Sequence, residues 1–239
     1  MDSKELIKNI MDSPTYKIAE TDDEFMESYE TRATRLELDY LKAELAMKKY
    51  GIEHTIVVFG SARFDENNAF YVDAREFGKL VGTKGKYLDD SPVTMMTGGG
   101  PGIMEAANRG AYDVGAKSIG LNINLPKEQF PNPYITPELC FLFHYFAIRK
   151  LHFMQRAKAL VVYPGGFGTL DEFFEILTLV QTKRTKKIPI VLVSSEYWSK
   201  ALNFEFLLQE GTICDDDINI FKIVENAKEA WEYIFQWYK

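Results

Sequence analysis

The sequence predicts an α/β fold, a Rossmann-like doubly wound parallel sheet with an extra N-terminal helix. Three observations predict it. From Thr55 onward, short β-branched runs alternate with helical stretches. The runs are continuously apolar rather than alternating, which suits strands covered on both faces of a parallel sheet. Each run ends in glycine, asparagine or serine, and three are followed by glycine-rich turns. Repeated strand–helix alternation is the signature of a parallel sheet with helices on both sides.

Residues 1 to about 20 show weak periodicity and a Ser13-Pro14 break, so they read as a loosely attached segment. A long amphipathic helix is expected over 21–51. Thr21 and Glu24 have capping-box spacing, Phe25, Tyr29, Leu36, Tyr40 and Ala43 fall near one stripe, and Gly51 supplies a stop. Residues 1–50 are therefore expected as a helical extension and 51–239 as the Rossmann-like domain. Strands are expected at 55–60, 92–98, 117–123, 159–165 and 188–194. Helices are expected at 66–84, 102–115, 139–156, 169–184, 196–210 and 225–237.

The formal charge of −7 argues against a broad basic surface for long nucleic acid, which needs clustered Lys and Arg to neutralise phosphates. The amino terminus lacks the apolar core of a secretory signal, and no stretch is long enough for a membrane helix. Cys140 and Cys214 have neither redox nor metal spacing, and His54, His144 and His152 form no zinc motif. The expectation is a cytoplasmic protein with reduced thiols and no metal or other cofactor.

Ligands of doubly wound sheets bind outside the carboxyl ends of the strands. "FGSAR", "MTGGGPGIMEAA" and "YPGGFGTLDE" occupy that place. A dinucleotide fingerprint is not met, because Ile103 stands where its last glycine would fall. No Gly-Lys pair has a Walker A context, so nucleoside triphosphate hydrolysis of that type is excluded. What remains is a pair of glycine turns, each delivering a helix amino terminus, with its free N–H groups, toward one crevice. A monophosphate fits such a site. Gly99 and Gly100 of one loop, and Gly165, Gly166, Gly168 and Thr169 of the other, are the candidate contacts. Ser61 and Arg63 after the first strand are further candidates for contacts to that ligand.

Thr169-Leu170-Asp171-Glu172 also has capping-box spacing, and capping accounts for those four residues taken alone. It does not account for the preceding Pro164-Gly165-Gly166-Phe167-Gly168, or for Arg149-Lys150 on the helix before the strand. An arginine and a carboxylate brought to a phosphate crevice form a catalytic constellation. Glu128, in "PKEQF", is a candidate for the ligand pocket or for a solvent-facing loop. Trp231, Ile234 and Phe235 at helical spacing suit core or dimer surface.

At these residues the chain resembles the LONELY GUY family of cytokinin-activating phosphoribohydrolases, long mislabelled as lysine decarboxylases. The family's P-G-G-x-G-T-x-x-E signature is met by Pro164, Gly165, Gly166, Gly168, Thr169 and Glu172. Its upstream Arg-Lys pair is met by Arg149-Lys150, and Gly98-Gly99-Gly100 with "GIMEAANRGA" also matches. Short plant-type members carry Met-x-x-Arg-Lys where this chain has Phe146-Ala147-Ile148-Arg149-Lys150. With "LPKEQFPNPYI" and the extra helix, this is similar to the longer bacterial branch. The resemblance implies hydrolysis of the N-glycosidic bond of a nucleoside 5′-monophosphate, AMP or an N6-substituted AMP, to free base and ribose 5-phosphate. It implies Glu172 and Arg149 as catalytic residues, Lys150 as a second phosphate or structural contact, Thr178 as a pocket residue, and a homodimer or higher oligomer. The competing expectation is a non-catalytic carrier of a phosphorylated ligand, as in molybdenum-cofactor carriers, which would need neither Arg149 nor Glu172. Nothing marks a lysine as a pyridoxal Schiff base, so lysine decarboxylation finds no support.

Overall fold

In the computed structural model, which describes residues 2–88, 91–124 and 130–239, seven parallel strands form one sheet in the order β4-β3-β2-β1-β5-β6-β7. The strands are β1 His54–Phe59, β2 Val93–Thr97, β3 Ser118–Ile123, β4 Cys140–Phe143, β5 Ala157–Val162, β6 Ile190–Val193 and β7 Phe221–Val224. The chain winds outward from β1 to β4, returns beside β1 as β5, and winds out the other way. The reversal between β1 and β5 is the topological switch point, where such folds bind ligands.

Successive side chains point to opposite faces, and both faces are covered. Ile56, Val58, Val161 and Val191 face α4 (Ala69–Lys84), α5 (Ile103–Asp113) and α11 (Ala227–Trp237). Val57, Phe59, Leu160 and Leu192 face α3 (Arg32–Lys49), α6 (Phe146–Gln155), α7 (Phe167–Gln181) and α8 (Ser195–Ala201). The continuous apolar runs predicted this double burial. Two short helices, α9 Phe204–Gln209 and α10 Asp215–Ile218, lie between α8 and β7.

The long helix expected over 21–51 is broken. Among the described residues two α-helices precede α3, α1 Ser3–Met11, which buries no residue, and α2 Asp23–Glu27, with a 3-10 turn at Ala19–Thr21 between them. The Thr21–Glu24 capping box does not form. Asp22 caps α2 by accepting from the Phe25 N–H, while the Thr21 hydroxyl turns back to the Ile18 carbonyl. After α2 the Thr31 hydroxyl and the Arg35 guanidinium capture the Met26 and Ser28 carbonyls, which satisfies the helix end where it turns. Helix α3 then closes as expected at Gly51. Gly51 has φ +70°, and the Ile52 N–H donates to the Met47 carbonyl at 2.9 Å. Ala43 and Met47 of α3 are buried in the core.

Three other expectations change. The stretch 139–156 begins as a strand, because Phe141 and Phe143 are buried and Leu142 is exposed, a period of two that pairs with β3. The stretch 196–210 divides at Leu202, where Asn203 caps a new helix through the Phe206 N–H. Strand β7 lies in a segment that had no strand reading. Among the described residues no helix is long and apolar enough to cross a membrane.

Candidate active site

The crevice is assembled around the backbone of Ser61, just past β1. The Ser61 N–H donates to the Pro164 carbonyl at 2.9 Å, and the Ser61 carbonyl accepts from the Ile103 N–H at 3.0 Å. One residue thus ties the loop after β5 to the start of α5. Gly102, at φ +71°, allows that approach, since a Cβ there would stand 2.3 Å from the Ser61 carbonyl oxygen. The loop after β5 is anchored from below by Tyr163, which is fully buried and donates its hydroxyl to Asp73 at 2.8 Å. Burial pushes both the Tyr163 phenol and the Asp73 carboxyl above their ordinary values.

Between these loops lies a cavity of about 760 Å³. Phe59, Met104, Ile123, Phe146 and Phe153 give it apolar walls, while Ser61, Arg149, Thr169 and Glu172 bring polar groups to it. Helix α7 opens on its floor. Its N-cap is Gly166, with no side-chain cap. Among the described residues the amides of Gly166, Phe167 and Gly168 have no acceptor, as expected for a first helical turn. A Cβ at Gly166 or Gly168 would meet nothing within 4 Å, so glycine leaves room above these N–H groups. Gly165 is different, because a Cβ there would stand 2.2 Å from the Thr169 hydroxyl oxygen.

The helix begins two residues before Thr169, so Thr169 lies inside the first turn and donates its N–H to the Gly166 carbonyl at 3.0 Å. The capping box read over Thr169–Glu172 therefore does not form. Glu172 is 5% exposed and turns toward α6. Its carboxylate lies 3.3 Å from the Lys150 ammonium and 3.7 Å from the Arg149 guanidinium. Burial raises the Glu172 carboxyl above the usual glutamate range, and the two cations only partly offset that.

Arg149 is held by rings more than by hydrogen bonds. Its guanidinium lies 5.0 Å from the Phe146 ring centre and 5.6 Å from that of Phe153, and its buried Nε has no partner. Burial lowers the Arg149 pKa, against the pull of Glu172 and Asp171. A planar fork of donors at the cavity wall is suited to ligand oxygens. Lys150 is the opposite case, because Glu175 at 2.6 Å, Asp171 at 2.8 Å and Glu172 all surround its ammonium. Burial alone would lower its pKa, but hydrogen bonds to Asp171 and Glu175 hold it above the usual value.

The structure brings together most of the residues singled out in the sequence. Ser61, Arg63, Arg149, Gly165, Gly166, Gly168, Thr169 and Glu172 line the cavity. Lys150 and Thr178 line a separate, shallower depression on the outer side of α7. Of the triple glycine, Gly98 reaches the cavity wall, whereas Gly99 and Gly100 are buried beneath it. Asn132 donates to both their carbonyls and to Asn108, and a Cβ on Gly99 would stand 2.5 Å from the Asn122 amide. The Asn132 amide thus fixes the carbonyls of this loop from behind. Glu128 lies outside the described residues. Tyr197 of α8 also reaches the cavity and donates to the Gly165 carbonyl at 2.6 Å. It stands outside every motif, so no local signal marked it.

A family model described as "possible lysine decarboxylase" matches residues 104–234. A probable cytokinin riboside 5′-monophosphate phosphoribohydrolase of rice, Oryza sativa subsp. japonica, is 28% identical over 184 residues, covering 75% of this chain and 75% of its own. A pyrimidine/purine nucleotide 5′-monophosphate nucleosidase of Escherichia coli K12 is 24% identical over 210 residues, 84% of this chain but 42% of the longer enzyme. A solved molybdenum cofactor binding protein from Rippkaea orientalis superposes with a TM-score of 0.55 at 18% identity, covering 78% of this chain and 98% of its own, a likeness of fold.

Proposed function

The chain belongs to the family described as "possible lysine decarboxylase", the LONELY GUY family that its glycine motif resembles, and from that membership we propose that it is a nucleotide N-glycosidase. It hydrolyses the N-glycosidic bond of a nucleoside 5′-monophosphate, AMP or an N6-substituted AMP, to free base and ribose 5-phosphate. The observation that carries this is the buried Arg149–Glu172 pair opening onto the same cavity as the unpaired amides of Gly166 to Gly168.

The phosphate sits on those amides, where the helix dipole favours an anion. The apolar walls take the base. Departure of the base leaves an oxocarbenium-like sugar, which the Glu172 carboxylate stabilises while it positions and deprotonates the attacking water. Arg149, with its donors unspent, holds ribose or phosphate oxygens beside Glu172. Lysine decarboxylation would need a lysine that can lose its proton to form a Schiff base, and Lys150, the lysine beside this pair, is bound by three carboxylates. The exposed Phe146, Leu151, Phe167 and Phe174 on α6 and α7 suit a second copy of the chain, and the unpaired Cys140 and Cys214 suit the cytoplasm. Incubating the purified protein with AMP, GMP, CMP and isopentenyl-AMP, and separating base from nucleotide, tests the activity. Release of no base from any of them, with retained binding of phosphate compounds, would favour a carrier instead.

A further inference from the structure

We propose that Tyr197 is a positioning residue that aims the phosphate-binding amides of α7, an inference that rests on the assignment of those amides to the phosphate. The loop after β5 has three successive carbonyls, and each is captured. Pro164 is held by the Ser61 N–H at 2.9 Å, Gly165 by the Tyr197 hydroxyl at 2.6 Å, and Gly166 by the N–H groups of Thr169 and Leu170, both at 3.0 Å. A trans peptide is planar, with its carbonyl and the following N–H directed oppositely. Fixing the Gly165 carbonyl therefore fixes the Gly166 N–H on the other side, away from Tyr197. Glycine at 165 and 166 supplies no side chain to limit rotation of that peptide, so the restraint has to come from outside the loop.

Tyr197 is itself well anchored. Its own N–H donates to the Ser194 hydroxyl, and Ser194 sits in the left-handed region at φ 83°, unusual for a residue with a Cβ. The Tyr197 ring stands edge-on to Trp198, with centroids 5.1 Å apart. Trp198 is fully buried and bonded through its indole N–H to the Val193 carbonyl at 3.0 Å. The end of β6 thus determines where the hydroxyl lies, and the hydroxyl determines the peptide. The ligand class that depends on it is the phosphate monoester, not the base.

Tyr197→Phe removes one oxygen and leaves the ring. Expected for Tyr197→Phe is a rise of about three- to tenfold in the KM for AMP, the scale of one hydrogen bond, with the loss falling on KM rather than kcat. Calorimetry should show the same weakening for ribose 5-phosphate and inorganic phosphate, and unchanged affinity for adenosine. Unchanged phosphate affinity in the folded variant overturns the proposal, as does equal weakening toward adenosine, which marks a general distortion. A parent protein that binds ribose 5-phosphate but cleaves no nucleotide refutes the proposed reaction and leaves the Tyr197 test intact. One that binds no phosphate compound overturns both.

Discussion

Glu172 shows how two chemistries share one spacing. T-x-x-E is a capping box by pattern, and four residues cannot tell that role from catalysis. The structure rules out the cap by starting α7 at Phe167, and it turns Glu172 to Arg149 and Lys150. Glu172→Gln should reduce AMP hydrolysis by roughly two orders of magnitude or more, the scale of a positioned acid–base group. Its melting temperature should stay near the parent's, because burial holds the folded-state pKa of Glu172 above its unfolded value. Stability from such a group is fully present at low pH and is lost as pH rises through the folded pKa, so an uncharged replacement costs little at neutral pH. Activity runs the other way, present when Glu172 is ionised and lost as pH falls through its pKa. The acid limb of kcat/KM should therefore lie above the ordinary glutamate value of about 4.3. Lysine 150 lowers that pKa, so Lys150→Met should move the limb to higher pH, which a pH–rate profile reads directly. Arg149 and Glu172 stood out in the sequence because motif and chemistry coincide in them; Tyr197 did not, because it is tied to the crevice by a contact with Gly165, 32 residues away in the chain.

At the scale of elements, the helix carrying Arg149 and Lys150 is braced by α3. The Asp39 carboxylate accepts from the N–H groups of His144 and Tyr145, each at 2.9 Å, at the entry to α6. Further along, the Tyr40 ring stacks on His152 at 5.0 Å and Glu44 pairs with Arg156 at 2.7 Å. Asp39→Ala should cost about 1–2 kcal/mol, the worth of a cap, a fall of roughly 2–8 °C in melting temperature for a chain of this size. It should also lower kcat by loosening α6, and a thermal melt with a rate assay on one preparation checks both. Helical periodicity announced α3 but could not reveal its partner. The same limit explains β4, where the short run Cys140–Phe143 precedes a genuine helix and only pairing with β3 decides its state. It also applies to the triple glycine, whose composition could not reveal that Asn132, over thirty residues away, binds its carbonyls.

For the whole molecule, the sheet class was plain in the sequence, since a strand buried on both faces must be apolar throughout. Strand order was not, because nothing local says that β5 returns to β1. The amino-terminal region divides in two by the same criterion of burial. Helix α1 contributes no buried residue, whereas Ala43 and Met47 of α3 lie in the core. Deleting residues 2–18 should leave the denaturation midpoint unchanged, and deleting 2–50 should prevent folding, as circular dichroism of the two truncations would show. The switch point has a consequence in time as well as in space. Val57 of β1 pairs with Leu160 of β5, so the seam joins segments that lie far apart in the chain. As the chain is synthesised, β1 to β4 are complete while β1 is still an apolar edge with unpaired backbone, the kind of edge that invites wrong partners. Ser61 cannot meet Pro164 until β5 arrives. Birth of the crevice and burial of that edge are a single late event in the life of the chain.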